Sequence, residues 1–205
     1  MGSYDFINFK LTNKYTIEHN WALESGLMDF KKKMFTNELL KLGSISYKML
    51  SKIYSSNQII GKIHSKLAKK LDLNNDVKVI AGCADHVVSA FSAGVKKSGD
   101  ILLKFGGAGD ILFSSKQPLK DKRLFLDYHI IPNLFMPNGC MASSGSLLSW
   151  FINNFYSSLS NKKNIYRYLD LQASKSNIKN NKIVILPYFL GEKTPIHDLN
   201  AKGTI

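Results

Sequence analysis

Apolar residues recur along this chain at two spacings, and the switch between them predicts its elements. In the first third the spacing is helical. A helical stretch is expected over Trp21–Phe30, followed by the polar break Lys31-Lys32-Lys33. An amphipathic run from Thr36 to Leu42 comes next, with Thr36 placed to cap its start and Gly43 placed just past its end. Over Ser65–Leu71 the residues Leu67, Ala68 and Leu71 share one helical face.

From Val77 the pattern changes. Val77-Lys78-Val79-Ile80 is a short β-branched run, read as a strand that stops at Ala81-Gly82. A short buried helix is expected from Asp85. The polar segment Lys96-Lys97-Ser98-Gly99 marks an expected domain boundary, giving residues 1–96 and 97–205. Beyond it, Ile101–Phe105 and Ile111–Phe113 read as strands joined by the turn Gly106-Gly107-Ala108-Gly109. Ser146–Phe155 reads as a helix with Leu147, Leu148, Phe151 and Phe155 on its inner side, and Lys182–Leu186 as a strand stopped by Pro187. Alternating strands and helices predict an α/β architecture.

Composition narrows the function classes. At 205 residues and 44% hydrophobic content, the chain suits one large domain or two small ones with a real core. No apolar run approaches the roughly 20 residues that span a bilayer, and the start lacks the basic-then-apolar pattern of a secretory signal. Cys83 and Cys140 stand far apart and form neither a disulfide framework nor a metal-ligand pair, so a cytoplasmic protein is expected. The net charge of +13 suggests nucleic acid at first sight. However, Arg123 and Arg167 are the sole arginines and the lysines are scattered. Readers of bases and phosphates depend on the bidentate arginine fork, and an AT-rich codon bias accounts for the lysine excess. Neither nucleic acid nor membrane is expected as a partner.

Three segments could carry chemistry. Asp85 follows a strand and a small-residue turn and precedes a helix, where ligands of α/β folds collect; by position alone a helix cap is the more frequent use of such a residue. In Gly106-Gly107-Ala108-Gly109 the lack of bulky side chains would let backbone N–H groups approach a phosphate, or would simply make a tight turn. The loop fits neither the Walker A nor the G-x-G-x-x-G template. Ser143-Ser144-Gly145-Ser146 could set a helix N-terminus against phosphate or act as a cap. The five histidines show no metal-ligand spacing and are read as structural or exposed, and Glu192–Lys193 as a surface pair. No metal ligand is assigned.

Taken in order, these segments resemble the FGGY family of carbohydrate kinases. The stretch from Val79 to Asp85 and on to Gly94 resembles the segment that carries that family's catalytic aspartate. Gly99 to Gly109 stands where the family has its second phosphate loop. Ser144-Gly145 through Trp150-Phe151 is similar to its nucleotide segment, and Leu186-Pro187-Tyr188 through Gly191-Glu192-Lys193-Thr194-Pro195 and Gly203 to a later one. Upstream, Asp5 through Leu11-Thr12 fits the family's aspartate-to-leucine-threonine element. The resemblance implies an actin-like fold of two ribonuclease-H-like domains, present in part. Residues 1–96 would end the sugar-binding domain and residues 97–205 would begin the nucleotide-binding one. It implies ATP-dependent phosphorylation of a sugar, such as the ketopentose xylulose, with ATP and Mg²⁺. Asp85 would be the general base, Gly106, Gly107, Ala108 and Gly109 would wrap the phosphates, and Gly145 would lie near the nucleotide.

The chain departs from the pattern in three places. Gly107-Ala108 replaces a threonine and its small neighbour, and Lys193 replaces an arginine. The family's amino-terminal phosphate loop, which helps hold Mg²⁺, and its adenine-binding half are expected to lie outside these residues. The chain alone is therefore expected to be inactive, and either to associate with the remaining kinase parts or itself, or to be a non-catalytic remnant.

Overall fold

The computed structural model describes residues 2–159, 163–176 and 182–205 and opens on a helix, α1 (Ser3–Thr12), that buries polar side chains. Asp5, Asn8 and Thr12 lie three and four residues apart, on one face, and all three are buried. Each is satisfied there. Asp5 accepts from the Gly2 N–H and from the Glu18 N–H, both at 3.1 Å. The Asn8 amide donates to the Ala81 carbonyl at 2.5 Å, and the Thr12 hydroxyl donates to the Asn8 carbonyl at 2.7 Å. Phe6 and Ile7 face solvent instead. Hydrophobic periodicity therefore gives no sign of this helix.

Two units emerge. The first comprises Met1–Asp100, Phe113–Leu119 and Leu126–Pro137; the second, Ile101–Leu112, Lys120–Phe125 and Asn138–Ile205. In the first unit, β1 (Thr16–Glu18) leads into α2 (His19–Glu24), then β2 (Met28–Asp29), β3 (Met34–Phe35) and α3 (Asn37–Leu42). The helix expected over Trp21–Phe30 thus ends early, because the chain turns at Gly26 with φ +75° and pairs β2 with β3 as a hairpin. Gly43 ends α3 at φ −89°, and the left-handed residue there is Ser44. Next come β4 (Lys52–Tyr54), parallel to β1; β5 (Ile59–Lys62); α4 (Ser65–Lys70); β6 (Lys78–Ile80), antiparallel to β5; and α5 (Asp85–Ser92).

Two apolar clusters hold this unit. Ile17, Ala22, Met28, Phe35, Leu40 and Tyr128 form one, and Ile60, Ile63, Ala68, Val79 and Ala81 the other. Full burial of each large side chain contributes about 1.5–3 kcal/mol. The unit also holds a buried carboxylate. Glu18 accepts from the Tyr4 hydroxyl at 3.0 Å, the Ser56 hydroxyl at 2.8 Å and the Asn20 N–H at 2.9 Å, and His19 Nε2 stands 3.0 Å away.

One sheet has the strand order β7 (Ile101–Phe105), β8 (Gly109–Phe113), β10 (Phe135–Met141), β9 (Phe125–Tyr128); β7 belongs to the second unit, while β8, β9 and β10 hold residues of both units. Asn138, Gly139, Cys140 and Met141 pair antiparallel with Leu112, Ile111, Asp110 and Gly109. Then come α6 (Gly145–Phe155) and α7 (Ile165–Ser174). The expected inner stripe of α6 is shifted. Ile152 is its buried residue, while Leu148, Phe151 and Phe155 are exposed and the rings of the last two lie 5.1 Å apart, tilted by 33°. Periodicity identifies an apolar face but not what packs on it. The strand expected over Lys182–Leu186 reduces to a single bridge, Leu186 to Thr204.

Candidate active site

Asp85 is aimed by the turn that precedes it. After β6, the Ala81 N–H donates to the Gln58 carbonyl and the Gly82 N–H to the Ser56 carbonyl. Gly82 then takes φ +85°, a left-handed conformation that favours glycine. Cys83 is half-buried, and burial pushes its thiol up to about 12. Ala84 is the N-cap residue of α5, so Asp85 occupies the first helical position.

The Asp85 side chain is fully exposed. Its Oδ1 accepts from the His86 N–H at 2.7 Å, so the capping expected of it is a single bond. Oδ2 is left open. His86 turns inward. Its Nε2 lies 2.9 Å from Oδ2 of Asp127, a carboxylate 3% exposed, and its Nδ1 lies 3.5 Å from Asp85 Oδ1. Burial alone would lower the imidazole's pKa, but the Asp127 hydrogen bond, with Glu24 and Asp85 adding, raises it above the ordinary histidine value. This contact stabilises the fold fully below the unfolded value of about 6.5 and fades as pH rises through the folded value.

Glu24, His86 and Asp127 bring their ligand-type atoms within 4.8 Å of one another. In this arrangement the imidazole is paired with Asp127, 2.9 Å away. His86, read from the sequence with the other histidines as structural or exposed, is partly buried and ion-paired with Asp127. Nothing in the sequence links it to Asp127.

In the second unit the glycine loop and Gly145 come together. The Gly145 N–H donates to the Gly106 carbonyl at 2.7 Å, and the Ser144 N–H and Ser146 hydroxyl reach the Gly107 carbonyl at 2.8 and 2.9 Å. The start of α6 is thus occupied by loop carbonyls, which turns the loop's donors the other way. Among the described residues, the N–H groups of Gly107 and Ala108 have no partner. Two adjacent free donors without obstructing side chains fit a phosphate. Asp110, at the foot of the loop, is paired with Lys104 at 2.8 Å.

Gly145 has no room for a side chain, since a Cβ there would stand 2.6 Å from the Gly106 carbonyl oxygen. Gly145→Ala is therefore expected to force loop and helix apart and cost about 1–3 kcal/mol of stability. Thermal melting checks this; an unchanged transition would show that the loop yields freely.

Glu192 is not the surface residue it looked. It is 1% exposed, and its Oε1 accepts from the Ala142 and Lys193 N–H groups at 3.1 and 2.7 Å. Beside it, the Thr194 hydroxyl accepts from the Cys140 N–H at 2.6 Å. The segment's role is to brace the end of β10. Lys193 stays exposed.

Comparison with known proteins follows the same lines. Residues 1–92 match the FGGY family of carbohydrate kinases, N-terminal domain. The chain is 30% identical over 205 residues to the xylulose kinase of Staphylococcus epidermidis, covering 98% of this chain and 40% of that protein. It is 24% identical to the gluconokinase of Bacillus subtilis, covering 41% of it. The crystal structure of xylulose kinase from Rhodospirillum rubrum superposes with a TM-score of 0.87 at 38% identity, over 99% of this chain and 40% of that one. The chain thus spans about 40% of the length of the curated relatives it matches, and its fold is the corresponding part of the actin-like kinase fold. Among the described residues, no helix is long and apolar enough to cross a membrane.

Proposed function

We propose, for a chain that belongs to the FGGY family of carbohydrate kinases, that it supplies the general base and one phosphate loop of an ATP-dependent sugar kinase. The observation that carries this reading is Asp85. It stands at the first position of α5, with Oδ1 tied to the backbone and Oδ2 open to solvent. Such a carboxylate is ready to take a proton.

In the reaction, the sugar hydroxyl oxygen attacks the γ-phosphorus, the bond to the β-phosphate oxygen breaks, and the hydroxyl proton passes to Asp85 Oδ2. The N–H groups of Gly107 and Ala108 hold phosphate oxygens, while Gly106, Gly109 and Gly145 keep that cradle free of side chains. Mg²⁺, when bound with the nucleotide, would neutralise phosphate charge, and its ligands are assigned to parts of the kinase fold beyond these residues. Residues 1–96 are assigned to the sugar-binding domain and 97–205 to the nucleotide-binding domain. A ketopentose such as xylulose is the favoured acceptor, supported by identities of 38% and 30% to two xylulose kinases, against 26% to a gluconate kinase and to another xylulose kinase. We place the reaction in the cytoplasm, where ATP is available, and expect the chain to associate with the remaining kinase parts.

The test compares the chain alone with the chain joined to the remaining segments of a full-length relative. Alone, it should release no ADP on addition of xylulose, because the groups that stabilise the transferring phosphoryl are incomplete. Joined, it should phosphorylate the sugar. Ketose-stimulated ADP release by the chain alone would refute the first expectation. A well-folded joined protein that binds ATP but transfers nothing would favour the non-catalytic reading.

A further inference from the structure

Three side chains of the first unit form a continuous line from its interior to Asp85. Asp127, on β9, is 3% exposed. His86, on α5, is about one-quarter exposed through its side chain and sits between the two carboxylates, 2.9 Å from Asp127 and 3.5 Å from Asp85. Asp85 is the outermost.

We propose that His86, anchored by Asp127, is the positioning residue of Asp85, turning its Oδ1 inward so that Oδ2 faces the acceptor hydroxyl. The inference rests on the reading of Asp85 as the base. Two donors of His86 act on the same oxygen: its backbone N–H at 2.7 Å and its ring Nδ1 at 3.5 Å. The first is set by helix geometry and fixes the distance. The second requires a protonated Nδ1, and so depends on the charge state of the ring.

That charge state is set from three sides. Asp127 faces the ring from β9 and accepts its Nε2 proton, Glu24 faces it from the end of α2, and Asp85 faces it from the preceding position of α5. With Nε2–H spent on Asp127, Nδ1 carries a proton only in the imidazolium, which three carboxylates favour against the cost of burial. An exposed carboxylate at the head of a helix would otherwise rotate freely about its side-chain torsions, and each unproductive rotamer would take the base out of line. A neutral or missing ring at position 86 releases it.

The experiment uses the intact chain. The imidazole of His86 and the carboxyl carbon of Asp85 are followed by NMR through a pH titration. In the parent chain His86 is expected to titrate above the ordinary value of about 6.5. Asp127→Asn should bring its midpoint down. Asp85→Asn, made at an exposed side chain that does not threaten the fold, should also lower it, by about half a unit, since a solvent-screened charge at this distance acts weakly. Reciprocally, the Asp85 carboxyl carbon should register His86 deprotonation as a second inflection, which His86→Gln abolishes.

If Asp85→Asn leaves the His86 midpoint where it was, or the Asp85 carbon shows no inflection of His86, the coupling is absent and the proposal is overturned. These readouts require no turnover. Failure of the kinase reading would show separately, as undiminished sugar phosphorylation by an Asp85→Asn enzyme.

Discussion

Asp85→Asn, placed in a full-length kinase built around this chain, is expected to lower kcat roughly 10²–10⁴-fold, the usual scale for a positioned general base. Asparagine keeps the size of the side chain and an oxygen that can accept from the His86 N–H, so α5 should start as before. The exposed negative charge and the capacity to take a proton are removed. Sugar KM and melting temperature should therefore stay close to the parent values, and the loss should appear equally in kcat and kcat/KM. If Asp85 is only a helix-end acceptor, Asp85→Asn will turn over sugar at the parent rate. Steady-state kinetics with ATP and xylulose, beside a melting curve, separate the two outcomes.

Glu18→Ala should be the most damaging single change to the fold. The carboxylate is fully buried and receives the Tyr4 and Ser56 hydroxyls and the Asn20 N–H, with His19 beside it. The Tyr4 phenol is raised above its ordinary pKa, first by burial and then by this carboxylate. Truncation leaves several buried donors without an acceptor, and breaking such a network costs about 3–5 kcal/mol, a large share of the roughly 5–15 kcal/mol that holds a typical domain. For a chain of this size that corresponds to a melting temperature lower by roughly 10 °C. Glu18→Gln, which keeps one acceptor oxygen, should lose less. A melting temperature for Glu18→Ala within a degree or two of the parent would mean that water replaces the carboxylate without penalty. Because Ser56 also accepts the Gly82 N–H through its carbonyl, collapse of this network would disturb the turn that aims Asp85.

The sequence by itself determined the elements whose signal is local. The β-branched run before Ala81 became β6, the glycine run joined β7 to β8, and Asp85 opened a short helix. Each follows from a few neighbouring residues: branched side chains for a strand, absent side chains for a tight turn, a small-residue turn before a helix. The family resemblance is of the same kind, since it rests on short motifs in order. What escaped the sequence is everything set by partners far along the chain. Helix α1 buries Asp5, Asn8 and Thr12 because Gly2, Glu18 and Ala81 supply their hydrogen bonds, and a polar stripe looks like a solvated face until those partners are known. Likewise Glu192 reads as a surface charge, but the Ala142 N–H makes it a buried acceptor. His86 reads as an incidental neighbour of Asp85, but the Asp127 carboxylate, brought in from β9, makes it an ion-paired ring. A polar residue's role depends on which donor or acceptor reaches it, and only the tertiary structure decides that; for local backbone preferences, the neighbouring residues are enough.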